Sequence, residues 1–287
     1  MASVFSRVLL ATEHSEFDLG AEALAFAIAR RGGLRLAAVL PVQSNPEFET
    51  VAPQLAAKAA SEAARRRQQL EALAGAEQLP LDLRVRHGPE LYLEIVDEAR
   101  RRQCDLIVIR RRGKRGLLAN LLIGEMVSNV VAHAPCDVLI APRGAALWSS
   151  RVLVGIDPQD RDAATLALAA TIAADSALPL RVLCVAADEA GRPAAERALA
   201  ASLQQARARP GSPATGAVEG EVRIGRAHQA LIDAAREQRA DLIVIARHGG
   251  QSLGRAWIGG IAQKVIGLAE CPVLVRVNTT APKRNPA

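Results

Sequence analysis

The chain has 287 residues, half of them hydrophobic and 23% charged, with a formal net charge of +6 and an aromatic content of only 2%. This excludes a disordered chain, and the length favours about two domains, each able to bury its own core. The basic excess is mild and stacking platforms are few, so no nucleic-acid partner is expected, and no stretch approaches the roughly 20 apolar residues of a membrane helix.

The opening MASVFSRVLLATEH is broken by Arg7 and runs straight into polar residues, unlike a secretory leader, so a cytoplasmic location and no membrane partner are expected. Residues 8–11 form a short apolar strand, followed by a helical pattern over 17–30 that Gly32 and Gly33 stop. A second strand over 34–42 opens onto Pro46 and a long alanine-rich helix reaching about residue 74. Then come a strand at 81–86, a helix after Pro89, and the strand 106–109. A basic, glycine-containing loop leads to a helix over 124–134 and the strand 138–140.

The same order then repeats, from a strand at 152–156 to one at 273–277. Residues 105–113 read DLIVIRRRG and residues 241–249 read DLIVIARHG, so one domain has been written twice. The second copy's helix over 192–208 is the shorter counterpart, and the Pro, Gly and Ser-rich stretch 209–220 reads as a loop. The domains are expected at 1–142 and 151–277, joined by a linker at 143–150 and ending in a loose tail at 278–287. Alternating strands and helices predict an α/β fold with a parallel sheet and helices on both faces. The uninterrupted LIVI runs suit strands buried on both sides.

Cys104, Cys136, Cys184 and Cys271 show no C-x-x-C or Cys/His grouping, so they read as small core residues in a reducing compartment, with no metal site. Arginines at 65–67 and 100–102 lie on helices beside Glu62, Glu71, Glu94 and Glu98, which reads as ion-paired, solvated helix faces. His14, His87, His133 and His228 stand apart from any nucleophile in a triad-like arrangement, and no P-loop signature is present.

Ligands of open parallel sheets bind beyond the carboxyl ends of the strands, where strand order reverses. In the second copy that position gathers Ile156 and Asp157, Val185, the loop Ala246, Arg247, His248 and Gly249, and the helix start Gly259, Gly260 and Ile261. Small residues permit close backbone approach, and the free N–H groups of a helix start favour phosphate.

Both copies resemble universal stress protein domains of the UspA type, and together they resemble the tandem form of that family. The resemblance rests on VLLATEHSE and VLVGIDPQD at the openings, HGPE and IGRA before the third helices, DLIVI twice, and CDVLI and CPVLV at the ends. It implies two five-stranded sheets of order 3-2-1-4-5, with ATP bound by some members and not by others. Single-domain relatives pair their last strand between subunits, so the two copies here are expected to form an intramolecular pseudo-dimer. A homodimer of the whole chain is a further possibility that no residue supports.

The nucleotide-binding members carry G-x2-G-x9-G followed by Ser or Thr, and an Asp closing the first strand. Asp157, Gly249 and Gly259 match, whereas Ala246 replaces the first Gly and Gly260 the hydroxyl residue. The first copy departs further: Glu13 replaces the Asp, Arg110 replaces the first Gly, the interval between Gly113 and Gly124 is one residue longer, and Glu125 stands at the helix start. A carboxylate there repels phosphate but suits an unliganded helix N-terminus. The resemblance therefore implies an adenine nucleotide, with Mg only if ATP binds, in the second copy. In the first copy Arg110, Arg111, Arg112, Lys114 and Arg115 could hold an anion or an acidic protein partner. Two functions stay open: a stress-response regulator sensing a nucleotide through its second half, and an interaction scaffold with both loops vestigial. Slow ATP hydrolysis is a third.

Overall fold

The computed structural model describes residues 4–44, 50, 53–111, 124–159, 163–208, 217–247 and 257–277. The first half runs β1 (Val8–Ala11), α1 (Leu19–Gly32), β2 (Leu36–Gln43), α2 (Pro53–Ala76), β3 (Leu81–Gly88), α3 (Leu91–Arg101), β4 (Leu106–Arg110), α4 (Glu125–His133) and β5 (Asp137–Ala141). The second runs β6 (Val152–Ile156), α5 (Ala163–Asp175), β7 (Leu180–Ala186), α6 (Arg192–Arg207), β8 (Val218–Ile224), α7 (Ala227–Glu237), β9 (Leu242–Ala246), α8 (Gly260–Leu268) and β10 (Val273–Arg276).

All ten strands join one sheet of order β3-β2-β1-β4-β5-β10-β9-β6-β7-β8. Each half has the expected 3-2-1-4-5 order, with parallel neighbours throughout. The halves meet at β5 and β10, which pair antiparallel with Ile140 opposite Val273, Leu139 opposite Leu274 and Val138 opposite Val275. Closing strand against strand satisfies two edges that would otherwise expose unpaired backbone. Two apolar cores follow, one on each face, and each runs through both halves. The expected pseudo-dimer is thus a single continuous sheet.

The aspartate of each DLIVI copy has a local reason. Asp105 accepts the N–H groups of Ser6 (2.8 Å) and Arg7 (3.0 Å), and Asp241 those of Ser149 (2.6 Å), Ser150 (2.8 Å) and Arg151 (3.0 Å). Each carboxylate fixes the entry of the neighbouring first strand, satisfying donors that precede the ladder. Helix α1 ends where Gly33 turns left-handed (φ 60°) and its N–H reaches the carbonyls of Ala29 and Arg30.

Residues read as a linker are part of the packing. Ala145 and Trp148 are buried, and the Trp148 indole N–H donates to Ser176 Oγ at 3.0 Å. The stretch 209–220, read as a loop, ends in β8, whose first residues are Val218 to Gly220. The sheet recruits them because Gly220 must lie flat beneath Leu199 and Leu203 of α6: a Cβ there would meet Leu199 Cδ1 at 2.6 Å. The expected tail over 278–287 lies outside the described residues.

Candidate functional site

A cavity of about 1080 Å³ opens at the carboxyl ends of β6, β7 and β9 and at the start of α8. Of the residues singled out from sequence, Ile156, Asp157, Val185, Ala246, Arg247, Gly259, Gly260 and Ile261 all line it. His248 and Gly249 lie outside the described residues. The strand order explains the opening, because β6 has β7 on one side and β9 on the other, and their crossover helices leave in opposite directions.

Gly155 adjusts the floor. A Cβ there would lie 2.9 Å from Leu231 Cδ2, so the glycine lets α7 approach the strand end closely. Asp157 folds its own loop, its Oδ1 accepting the N–H of Gln159 at 2.9 Å. At the far wall Gly259 is extended (φ −63°, ψ 145°), donates its N–H to the Arg247 carbonyl at 2.9 Å, and begins α8 without a side-chain cap. The next N–H groups, of Gly260, Ile261 and Ala262, have no intrahelical acceptor, as at any helix start, and all three residues line the cavity. A Cβ at Gly260 would meet nothing within 4 Å, so the space in front of the helix is open. Aligned peptide dipoles make this end electropositive and suited to an anion.

The first half holds only about 10 Å³ at the same position. Arg110, the counterpart of Ala246, fills it. Its side chain is 5% exposed and reaches Asp18 at 2.7 Å (1% exposed), Glu13 at 3.0 Å and Ser15 Oγ at 2.8 Å. Asp18 also accepts the Ser15 N–H and hydroxyl, at 2.9 and 2.6 Å. Beside them, buried Glu22 accepts the Thr12 hydroxyl at 2.6 Å and faces His14 Nδ1 at 3.0 Å. The guanidinium and its carboxylates occupy the space a ligand would take.

The expectation that Arg110 and Arg111 belong to a basic loop offered to an outside anion is therefore corrected. Arg110 is neutralised internally, since a buried guanidinium needs carboxylate partners. Arg111 crosses to the other half, where it donates to the carbonyls of Ile266 (3.3 Å), Gly267 (3.2 Å) and Ala269 at the end of α8. Arg247 does the same in reverse, donating to Val131 O (3.4 Å) and Ala132 O (2.9 Å) of α4. Its backbone lines the cleft while its guanidinium serves the domain interface. Burial pushes both arginines below their ordinary pKa, and a cation at a helix C-terminus offsets that cost. Arg112, Lys114 and Arg115 lie outside the described residues.

Sequence reasoning missed Trp257, which is 51% exposed at the cavity rim, and the α6 wall, which contributes Arg197, Ser202 and Gln205. No motif flags them. The usable signal was helical spacing: Ala194, Ala198, Ala201 and Gln205 recur on one face of α6. Among the described residues, no group of His, Cys, Asp and Glu side chains is placed to hold a metal ion, and no helix is long and apolar enough to cross a membrane.

Two doubly wound domains fused edge to edge, each with a cleft at its strand ends, define a tandem α/β protein with one open site and one filled. The chain belongs to the universal stress protein family, whose model matches residues 5–142 and again 149–276. A universal stress protein from Archaeoglobus fulgidus DSM 4304 superposes over 97% of this chain and 100% of its own, with a TM-score of 0.70 at 17% identity. A functionally unknown protein from Pseudomonas aeruginosa PAO1 covers 94% of this chain and 92% of its own, with a TM-score of 0.64 at 18% identity. At such identities the likeness is one of fold. The "universal stress protein in QAH/OAS sulfhydrylase 3′ region" of Thermus aquaticus is 41% identical over 51 residues, 18% of this chain and 37% of that protein. The chain thus spans little more than a third of that relative's length.

Proposed function

We propose that this protein is a stress-response regulator that binds one adenine nucleotide, ATP in the first instance, in its second half, while its first half is a ligand-free domain available to a protein partner. The observation that carries this reading is the contrast between about 1080 Å³ and about 10 Å³ at equivalent positions. The start of α8 would take the phosphates, and Ile156 and Val185 would form apolar walls beside Asp157. Any Mg²⁺ would arrive on the polyphosphate. Binding alone, without chemistry, suffices for such a role.

The test is calorimetric titration of MgATP, ADP and AMP into the purified chain and into Ala246→Arg, which carries the first half's stopper into the second. One nucleotide per chain is expected, with at least a tenfold loss in the variant. No detectable binding to the unaltered protein at millimolar ATP would leave the scaffold reading in its place.

A further inference from the structure

The cleft is larger than a phosphate site requires. Its volume of about 1080 Å³ lies just above the roughly 300–1,000 Å³ common for small-molecule pockets. Its α6 wall extends from Ala194 to Gln205, about 16 Å along the helix at about 1.5 Å per residue.

Three charged residues belong to the described lining: Asp157, Arg197 and Arg247. The Arg247 guanidinium is engaged by the carbonyls of α4. The exposed Arg197 side chain makes no ion pair or hydrogen bond among the described residues. It belongs to α6, which packs on one face of the sheet through Ala195, Leu199 and Ala206, whereas α8 packs on the other through Ala262, Val265 and Ile266. The electropositive start of α8 and the Arg197 cation therefore stand on opposite sides of the strand ends. The lining at the strand ends includes Ile156, Asp157 and Val185.

We infer that the cleft, beyond holding a nucleotide's 5′-phosphate at the start of α8, accepts a second, separated anionic group read by Arg197. Arg197 is then the residue that distinguishes a nucleotide phosphorylated at two places from one phosphorylated at one. The inference rests on the nucleotide reading of the same cleft. A guanidinium suits the task because its fork of donors meets phosphate bidentately.

The experiment compares probe pairs that differ by one phosphate: AMP against adenosine 3′,5′-bisphosphate, and dephospho-coenzyme A against coenzyme A. Each is titrated into the full chain and into Arg197→Gln and Arg197→Lys. In the unaltered protein the second phosphate is expected to tighten binding at least tenfold in one or both pairs. In Arg197→Gln that gain falls below twofold while AMP affinity is unchanged, and Arg197→Lys recovers part of it. Equal loss of AMP and bisphosphate in Arg197→Gln would overturn the inference, because Arg197 would then touch the first phosphate. AMP binding with no gain from a second phosphate in either pair overturns it and leaves the nucleotide reading standing. Binding of none of the four overturns it, and the MgATP titration then decides the nucleotide reading separately.

Discussion

Replacing Arg110 tests whether the first half is stabilised by filling its own cleft. Arg110→Ala leaves Asp18, 1% exposed, with its main counter-charge gone, and frees Glu13 at 28% exposure. Breaking a buried pair from one side costs about 3–5 kcal/mol, most of it the burden of the charge left behind. The Glu13 contact is partly solvated and adds under about 1 kcal/mol. Arg110→Met keeps much of the side-chain volume while removing the charge, so it separates cavity formation from lost pairing. Urea denaturation followed by circular dichroism is expected to give losses within about 1 kcal/mol of each other for the two variants. In a cycle with Asp18→Asn, the double variant should recover about 2 kcal/mol or more relative to the sum of the singles. An Arg110→Met protein within about 1 kcal/mol of the unaltered chain would refute the reasoning, for the guanidinium would then be an ornament of the loop.

Other substitutions probe different parts of the molecule. Gly20→Ala should destabilise by about 3 kcal/mol or more in the same assay, since the added Cβ would sit 2.0 Å from the Pro142 carbonyl and 2.8 Å from that of Arg143; a loss under about 1 kcal/mol would mean the linker yields freely. Arg111→Ala should speed amide exchange at the end of α8 and cost about 1.5–3 kcal/mol, the range for hydrogen bonds to a charged group; unchanged exchange there would show that the cap contributes nothing. Asp82 is held below its ordinary pKa chiefly by hydrogen bonding to Arg102 (2.6 Å). Its contribution is present above the unfolded value of about 3.9 and lost as pH falls through the lower folded value, so Asp82→Asn should lower the melting temperature at pH 7 and converge with the unaltered protein as the pH falls through that folded value. Burial pushes the Cys104 and Cys184 thiols up to about 11 and Cys271 to about 12, so alkylation at pH 8 should be slow until the protein is unfolded.

Much of the architecture was written locally. The LIVI runs had to be central strands because only a position covered on both faces hides such a sequence, and β4 and β9 are each flanked by two neighbours. The open cleft was legible for the same reason: Ile156, Asp157, Val185 and Gly259 stand at strand ends or a helix start whose place follows from the order of elements. The filled cleft was not legible. Glu13 and Arg110 each looked like a separate departure from the nucleotide-binding pattern, yet they form one ion pair, and the second carboxylate, Asp18, lies 92 residues from Arg110 in sequence. A run of arginines reads as a solvated loop until the fold shows which guanidinium turns inward. Arg197 and Trp257 escaped because wall residues are chosen by shape and charge at a distance, in sequence, from the glycine-containing segments that drew attention.

The antiparallel joint between β5 and β10 also has a consequence for mass action. Two separate chains meeting through that strand would associate and dissociate with concentration, and being identical they would carry identical clefts. Covalent fusion makes the encounter intramolecular, at an effective concentration on the order of millimolar or above for a short connection. Dilution does not part the halves, and a residue changed in one is not copied into the other. The stoppered cleft and the open one can therefore coexist in every molecule at any protein concentration, so occupancy by the ligand proposed above would report that ligand's level without also reporting the protein's own.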